Sequence, residues 1–338
     1  MHGPHILIVG SGSVGRRHAR NLATLGCRIS CVDPRADRRA ELSSEVPTVA
    51  GHPHVSEALA THHDLTGVVI GSPPVFHVDQ ATEALQRGIP VLLEKPISPE
   101  LQGAVRLERL TETGLAPLLL GYTWRWWEPL RKARDLIEAN TIGTLRHVRM
   151  VISAHLADWH PWERYQDFFM SSKALGGGAL LDESHWIDVM LWLFGRPSWV
   201  HADVAKLGQL EIDVDDNVDM SVGYRNGLRV ALHLDILGRP HEKTITFLGD
   251  HGTLIWRENP NRISVSTETA PGWKDKDFCC ERNDMFLAVA REFLDVCARR
   301  TSPTCTASDG RRVLEIIEAA RTSSSEGRRV SLEGVQLE

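Results

Sequence analysis

The sequence predicts a two-domain α/β chain. Residues 1–121 read as a doubly wound parallel sheet with helices on both faces, and residues 122–338 as an α+β domain on an open, mainly antiparallel sheet. Three observations carry this. Short apolar runs alternate with amphipathic stretches over the first 120 residues. From about residue 123 the strand-like runs lengthen and alternate apolar with polar. Arg225-Asn226-Gly227 and Gly249-Asp250-His251-Gly252 are hairpin signals between runs of the second set. Continuous apolar runs suit sheets covered on both faces, and alternation suits sheets with one open face.

Each element follows from its residues. His5–Val9 (HILIV) is too short for a helix and rich in β-branched side chains. A glycine-rich turn leads to a helix from about Val14 to Leu25, then a strand at Arg28–Val32. Arg38–Ser44 suits a helix, Thr48–Ala50 a short strand and Val55–Ala60 a helix. Gly67–Ile70 is a buried-type strand stopped by Gly71-Ser72-Pro73-Pro74. Phe76–Arg87 is helical, Pro90–Leu93 a strand, Leu101–Glu112 a helix and Pro117–Tyr122 a sixth strand. In the second domain, Pro129–Asn140 is one amphipathic helix. Strands follow at Leu145–His155, Ser198–Leu207, Val218–Tyr224, Leu228–Ile236, Lys243–Gly249 and Gly252–Arg257. Met285–Arg299 and Asp309–Ser323 are helices, and Arg321–Arg329 is polar and loop-like.

Composition narrows the function. The 338 residues are 42% hydrophobic and 24% charged, which is globular rather than disordered. A net charge of −6 argues against a general nucleic-acid binder. No run approaches the roughly 18 apolar residues of a membrane span. The opening MHGPHILIVGSG lacks the basic flank, apolar core and cleavage site of a secretory leader, so the expectation is a cytoplasmic protein. Six cysteines form no C-x-x-C pair and no zinc pattern with the sixteen histidines. No metal is expected, and His62-His63-Asp64 reads as a solvated loop.

The first chemical motif is Gly10-Ser11-Gly12-Ser13-Val14-Gly15, placed between a strand and a helix. In that context Gly10 permits the tight turn, Gly12 lets backbone approach a pyrophosphate, and Gly15 lets the helix pack on the strand. The helix N-terminus supplies free N–H groups to phosphates. Asp33 ends the second strand, where its carboxylate can accept from the adenosine ribose hydroxyls. It repels a 2′-phosphate and so favours NAD over NADP, while Arg35 can offset that repulsion. NAD is the expected cofactor, with NADP possible. Two further strand ends face the same crevice: Ser72-Pro73-Pro74 with His77 behind it, and Glu94-Lys95-Pro96. The prolines read equally as a rigid turn, and His77 equally as an ordinary helix-start residue.

Together these motifs, with Gly176-Gly177-Gly178-Ala179-Leu180-Leu181-Asp182 and His185 in the second domain, resemble the glucose–fructose oxidoreductase / inositol 2-dehydrogenase / MocA (Gfo/Idh/MocA) family over nearly the whole chain. The resemblance implies a Rossmann domain holding NAD(P), and a small polyol, sugar or sugar derivative bound against the open sheet. Lys95 matches the lysine of the family's E-K-P, which contacts the reacting hydroxyl and helps relay its proton. Asp182 and His185 match the aspartate and histidine of the second motif, with a spacing one residue shorter here. Thr123 stands where the family usually has Asn. The segment from Asp158 to Tyr165 resembles a branch of sugar-nucleotide and nonulosonic-acid pathway oxidoreductases.

Oxidising a secondary alcohol needs a base for the hydroxyl proton. His185 is the candidate by type, because imidazole titrates near neutrality. Lys95 can hold the developing alkoxide. Asp182, at i, i+3 from His185, can share its helix face and orient it; a capping aspartate beside an ordinary helix histidine is the plain alternative. Arg125, Trp162, Glu163, Arg164, Tyr165, Asp182 and His185 are candidate substrate contacts, and Arg125 or Arg164 can clamp a carboxylate or phosphate in bidentate fashion. Trp124, Trp126, Trp127, Trp159 and Trp162 are dense enough to stack on sugar faces, although packing accounts for most such groups. The leading expectation is an NAD(P)-dependent sugar dehydrogenase or reductase. An NAD-using glycoside hydrolase and a non-catalytic NAD(P)-binding regulator are the alternatives. The long open strands suggest a homodimer or homotetramer.

Overall fold

The computed structural model describes residues 3–159 and 163–332. In chain order the elements begin β1 (His5–Val9), α1 (Ser13–Thr24), β2 (Arg28–Val32), α2 (Ala36–Glu45), β3 (Thr48–His52) and α3 (Val55–Thr61). They continue β4 (Gly67–Ile70), α4 (His77–Gln86), β5 (Val91–Leu93), α5 (Leu101–Glu112), β6 (Leu118–Leu120), α6 (Glu128–Glu138) and β7 (Leu145–Ser153). Next come α7 (Ala179–Asp182), α8 (His185–Phe194), β8 (Trp199–Ala205), β9 (Asn217–Gly223), β10 (Arg229–Asp235) and β11 (Glu242–Gly249). The chain closes with β12 (Gly252–Arg257), β13 (Arg262–Thr267), β14 (Ala270–Asp277), α9 (Arg282–Cys297), α10 (Ala307–Glu326) and β15 (Val330–Ser331). Among the described residues no helix is long and apolar enough to cross a membrane.

Two compact units form: Met1–Thr123 with Glu281–Arg311, and Trp124–Cys280 with Arg312–Glu338. The sequence-based division at 121/122 meets the first crossing within two residues but misses the return of Glu281–Arg311 to the first unit. The cause is tertiary. Helix α9 opens with a reciprocal capping box between Glu281 and Asp284 and packs on α1, where Asn283 exchanges side-chain amide bonds with Asn21.

The first unit's sheet has the order β3-β2-β1-β4-β5-β6, all parallel. All five residues of β1 are buried, as a strand covered on both faces requires. The register pairs Val9 with Val32 and Ile70, Ile70 with Leu93, and Leu93 with Leu120. The strands therefore end level, and one further hydrogen bond each extends the ladder to Gly10, Gly71, Glu94 and Gly121. Strand order reverses between β1 and β4, the switch point where such sheets bind ligands.

The second unit's sheet has nine strands, β14-β13-β12-β11-β7-β10-β9-β8-β15. Every pair is antiparallel except β7 with β10. Val148, Met150, Val230, Leu232, Phe247 and Trp256 lie on its buried face. Trp124, Trp127, Trp186 and Trp256 pack there as a cluster with ring centroids 5.2–6.1 Å apart. Edge-to-face pairs of this kind contribute about 0.5–1.5 kcal/mol each beyond simple burial.

Three sequence expectations shift. Strands β13 and β14 add to the expected set: β13 alternates apolar with polar over Ile263–Ser266, and β14 is an almost wholly exposed edge strand with Pro, Gly and alternating charges, the composition that protects an edge from pairing with another chain. Arg321–Arg329 is not a loop up to Glu326: α10 runs through it. Its serines have poor helix propensity, but Ser323 and Ser324 accept hydrogen bonds from Ala202 N and Val204 N of β8, both at 2.9 Å. Asp182 and His185 do not share one helix, because α7 ends at Asp182 and α8 starts at His185 after a turn.

Candidate active site

In the first unit, main-chain geometry builds the site. Gly10 adopts φ +88°, and a Cβ there would meet Ser72 N at 2.7 Å. A Cβ on Gly15 would stand 1.8 Å from Gly10 O, so α1 can leave the strand at this angle only with glycine. Gly12 differs: only the Arg38 guanidinium comes within 4 Å of its missing side chain. Helix α1 starts beside it with no side-chain cap. Its first-turn N–H groups thus need an outside acceptor, and a pyrophosphate supplies one. Asp33 is held at the end of β2, its two carboxylate oxygens accepting from Ser11 N and Arg35 N at 2.9 Å each. Lone pairs remain on both oxygens for ribose hydroxyls. The residues present fit an NAD.

The Arg35 guanidinium pairs with Asp37. Arg38 lies over the glycine turn instead, a position that spacing along α2 did not suggest.

The other two strand ends are interlocked. Ser72 donates its hydroxyl to Gln80 Oε1 at 2.6 Å. Pro74 starts a short turn that leads into α4. His77 was expected near the cofactor, but it is fully buried. Its Nδ1 lies 2.8 Å from Pro96 O and its Nε2 2.8 Å from Ser72 O. It therefore braces two loops and presents no nitrogen to a cofactor. Burial pushes its pKa below the ordinary histidine value, against the two carbonyls that favour the proton. Glu94, also expected at the cofactor, is buried with its carboxylate 2.7 Å from His18 Nε2. Lys95, between these anchored residues, is half-buried. His18 escaped the sequence reading. The available signal was its place on the buried stripe Gly15, His18, Ala19, Leu22 of α1, where a histidine is out of character.

In the second unit, side chains do more. The triple glycine is needed for packing against its own unit. A Cβ on Gly177 would strike Met170 O at 2.3 Å, and one on Gly178, at φ +109°, would strike the Asp215 carboxylate at 2.6 Å. Asp215 accepts from Leu180 N at 2.7 Å and so anchors the start of α7. Burial raises its pKa. Asp182 is buried and His185 half-buried, on either side of the Glu183-Ser184 turn. Ser184 donates its hydroxyl to Leu181 O at 2.6 Å, which tightens that turn.

Arg125 is not an open clamp for an acidic substrate. It is buried in a bidentate ion pair with Asp188, at 2.7–3.2 Å. Trp124 and Trp127 belong to the core cluster, and Trp159 donates to Ala154 O. Tyr165 accepts from Glu211 N through its hydroxyl at 3.2 Å, and Glu163 is exposed. Trp162 lies outside the described residues. The His62-His63-Asp64 run is more than a solvated loop. His62 and Asp64 bring possible ligand atoms within 4.8 Å of His5. Arg28 pairs with Asp64, and His52 Nε2 lies 3.0 Å from His62 Nε2, so hydrogen bonds close the group.

The fold and its glycine turn define a dinucleotide-binding protein of the Rossmann type. Comparison with known proteins agrees. The domain described as "Oxidoreductase family, NAD-binding Rossmann fold" matches residues 5–121, and the "GFO/IDH/MocA C-terminal domain" matches residues 130–255. The chain belongs to the Gfo/Idh/MocA family of NAD-binding oxidoreductases. It is 31% identical to the rhizopine catabolism protein MocA of Rhizobium meliloti over 193 residues, 56% of either chain. It is 24% identical to the UDP-N-acetylglucosamine 3-dehydrogenase of Acidithiobacillus ferrooxidans, covering 91% of this chain and 93% of that one. Levoglucosan dehydrogenase, in complex with NADH and L-sorbose, has the same fold: TM-score 0.89 at 17% identity, over 99% of this chain and 100% of that one.

Proposed function

We propose that the protein is a dehydrogenase that transfers hydride between NAD and a secondary hydroxyl or keto group of a sugar, sugar derivative or nucleotide sugar. The observation that carries this is the level row of strand ends in the first unit. It sets the Gly10–Gly15 turn, Asp33 and the Glu94-Lys95-Pro96 loop along one edge. When bound, NAD supplies the hydride acceptor. Lys95 holds the hydroxyl oxygen by charge and hydrogen bonding as its proton leaves. His185 is the base in this reading, and Asp182, across the Glu183-Ser184 turn, is its partner or a sugar contact. Alcohol oxidation then gives a ketone, reduced cofactor and one proton held by the protein. Glu163 and Tyr165 are the substrate contacts that stay in this proposal. The dehydrogenase relatives above, acting on a nucleotide sugar or on levoglucosan by their names, support the substrate class.

We also propose a cytoplasmic homodimer or homotetramer. Arg149, His201, Asp203, Asp219 and Ser221 line an exposed face of the nine-stranded sheet that a second copy can cover. Light scattering on the eluted protein reads this directly.

The test of function is absorbance at the reduced-nicotinamide band with levoglucosan, UDP-N-acetylglucosamine, free hexoses and cyclic polyols. NADH accumulating with one of them is the expected result. Sugar release with tightly held NAD and no net NADH would overturn the dehydrogenase in favour of the glycoside hydrolase. Bound NAD with neither outcome would favour the regulator.

A further inference from the structure

Lys95 sits between two residues that buried histidines hold. On one side, His18 Nε2 lies 2.7 Å from Glu94 Oε1. The other oxygen of that carboxylate accepts from Lys95 N at 3.4 Å. On the other side, His77 Nδ1 lies 2.8 Å from Pro96 O. Its Nε2 lies 2.8 Å from Ser72 O, which ties the loop to the neighbouring strand end. Both imidazoles are fully buried. They come from different elements, α1 and the first turn of α4.

The protonation logic is specific for His18. Its Nδ1 is buried with no hydrogen-bond partner among the described residues. A proton there would be a stranded donor, so the ring carries its proton on Nε2 and gives it to the Glu94 carboxylate. A hydrogen bond to a charged acceptor in a dry setting is about twice as strong as a neutral one. Gly121 leaves space beside the same carboxylate, where a Cβ would lie 3.3 Å from it.

We propose that His18 and His77 are positioning residues that brace the main chain on both sides of Lys95 and thereby fix where its ammonium is presented. This rests on the reading of Lys95 as a catalytic group. Neither histidine touches substrate or cofactor in this role. His18 acts through Glu94, and His77 acts through Pro96.

Side-chain geometry provides the test. The amide of glutamine reaches about as far as histidine Nε2, and that of asparagine about as far as Nδ1. His18→Gln keeps the donor to Glu94, whereas His18→Leu removes it. His77→Asn keeps the contact with Pro96, whereas His77→Gln keeps only that with Ser72. Misplacing a reacting group by an ångström can cost about 10²-fold in rate. The expected result is a kcat lowered about tenfold or more in His18→Leu and His77→Gln. His18→Gln and His77→Asn should stay near wild type. The NAD dissociation constant, read by tryptophan quenching, should stay within about twofold in all four.

A second readout needs no substrate. Limited amidination with methyl acetimidate, followed by peptide mass spectrometry, reports the reactivity of Lys95 against the other lysines. It should change at Lys95 alone in His18→Leu and His77→Gln. Unchanged Lys95 reactivity and unchanged kcat in both would overturn the brace. So would His77→Gln outperforming His77→Asn, because the histidine would then serve Ser72. If Lys95→Ala turned over normally, the catalytic reading would fail, while the amidination result would still decide whether the brace exists. Should a leucine variant fail to fold, the two amide variants of His77 carry the comparison alone.

Discussion

The strand-end edge of the first unit and the α7–α8 turn of the second reach their geometry by different means. Along the first, main-chain hydrogen bonds in one parallel register put Gly10, Asp33, Gly71, Glu94 and Gly121 level. Around the second, distant side chains and carbonyls do the placing: Asp215 at the start of α7, Met170 O against Gly177, and Asp188 holding Arg125. A site built by backbone register tolerates change in most neighbouring side chains. A site built by side-chain contacts depends on each of them, which the following predictions test in order of size.

The largest effect should come from Lys95→Ala. If Lys95 carries the alkoxide, kcat falls by roughly 10²–10⁴ while NAD affinity holds, since the backbone edge survives. Steady-state kinetics with titrated NAD separates the two, and a normal kcat would break the first half of the comparison.

Next is Asp188→Ala. Removing one partner of a buried ion pair leaves the other charge stranded, at a cost of about 3–5 kcal/mol. Urea denaturation of the variant should show that loss, with KM rising through disorder around α8 rather than through a lost substrate contact. A variant of wild-type stability that loses only an acidic substrate would restore Arg125 as a clamp.

Asp33→Ala should weaken NAD by about tenfold or more, as for a lost charged hydrogen bond, and NADP by less. Parallel titrations of the two cofactors check it, and the opposite order would sink the ribose assignment.

The smallest effect belongs to Asp215→Asn. Because burial raises the folded-state pKa of Asp215, the folded chain holds that proton more tightly than the unfolded one. That stabilisation is fully present below the ordinary aspartate range and is lost as pH rises through the raised value. The asparagine still accepts from Leu180 N but does not titrate. Melting curves of variant and wild type should therefore draw together at acid pH, with the variant gaining relative to wild type as pH rises. A gap independent of pH would show that Asp215 is not strained by its burial.

The readable part of the fold was large for a physical reason. Each parallel strand but β3 is a short apolar run bounded by glycine or proline, and Gly67–Ile70, Leu101–Glu112 and Gly252–Arg257 end where the pattern ends. Errors gathered where tertiary contacts outweigh local preference. The serines near the end of α10 find strand N–H groups, α9 returns to α1, and β14 has no buried face to give it alternation. In the candidate site, position at a strand end singled out Asp33 and Lys95, with the E-K-P resemblance adding to Lys95. The partners that hold Glu94 and Pro96 came from α1 and α4, and spacing does not reveal which buried histidine meets which acceptor.

By itself, the sequence determined the parallel sheet, the glycine turn between β1 and α1, the acid at the end of β2 and the lysine after β5. Each depends on local periodicity or on a glycine that its own neighbours require. Only the tertiary structure decided that Arg125 is locked to Asp188, that His77 is a brace, and that Asp182 and His185 flank a turn. Those outcomes depend on which groups are buried together, and a buried polar group takes whatever partner the fold brings within about 3 Å.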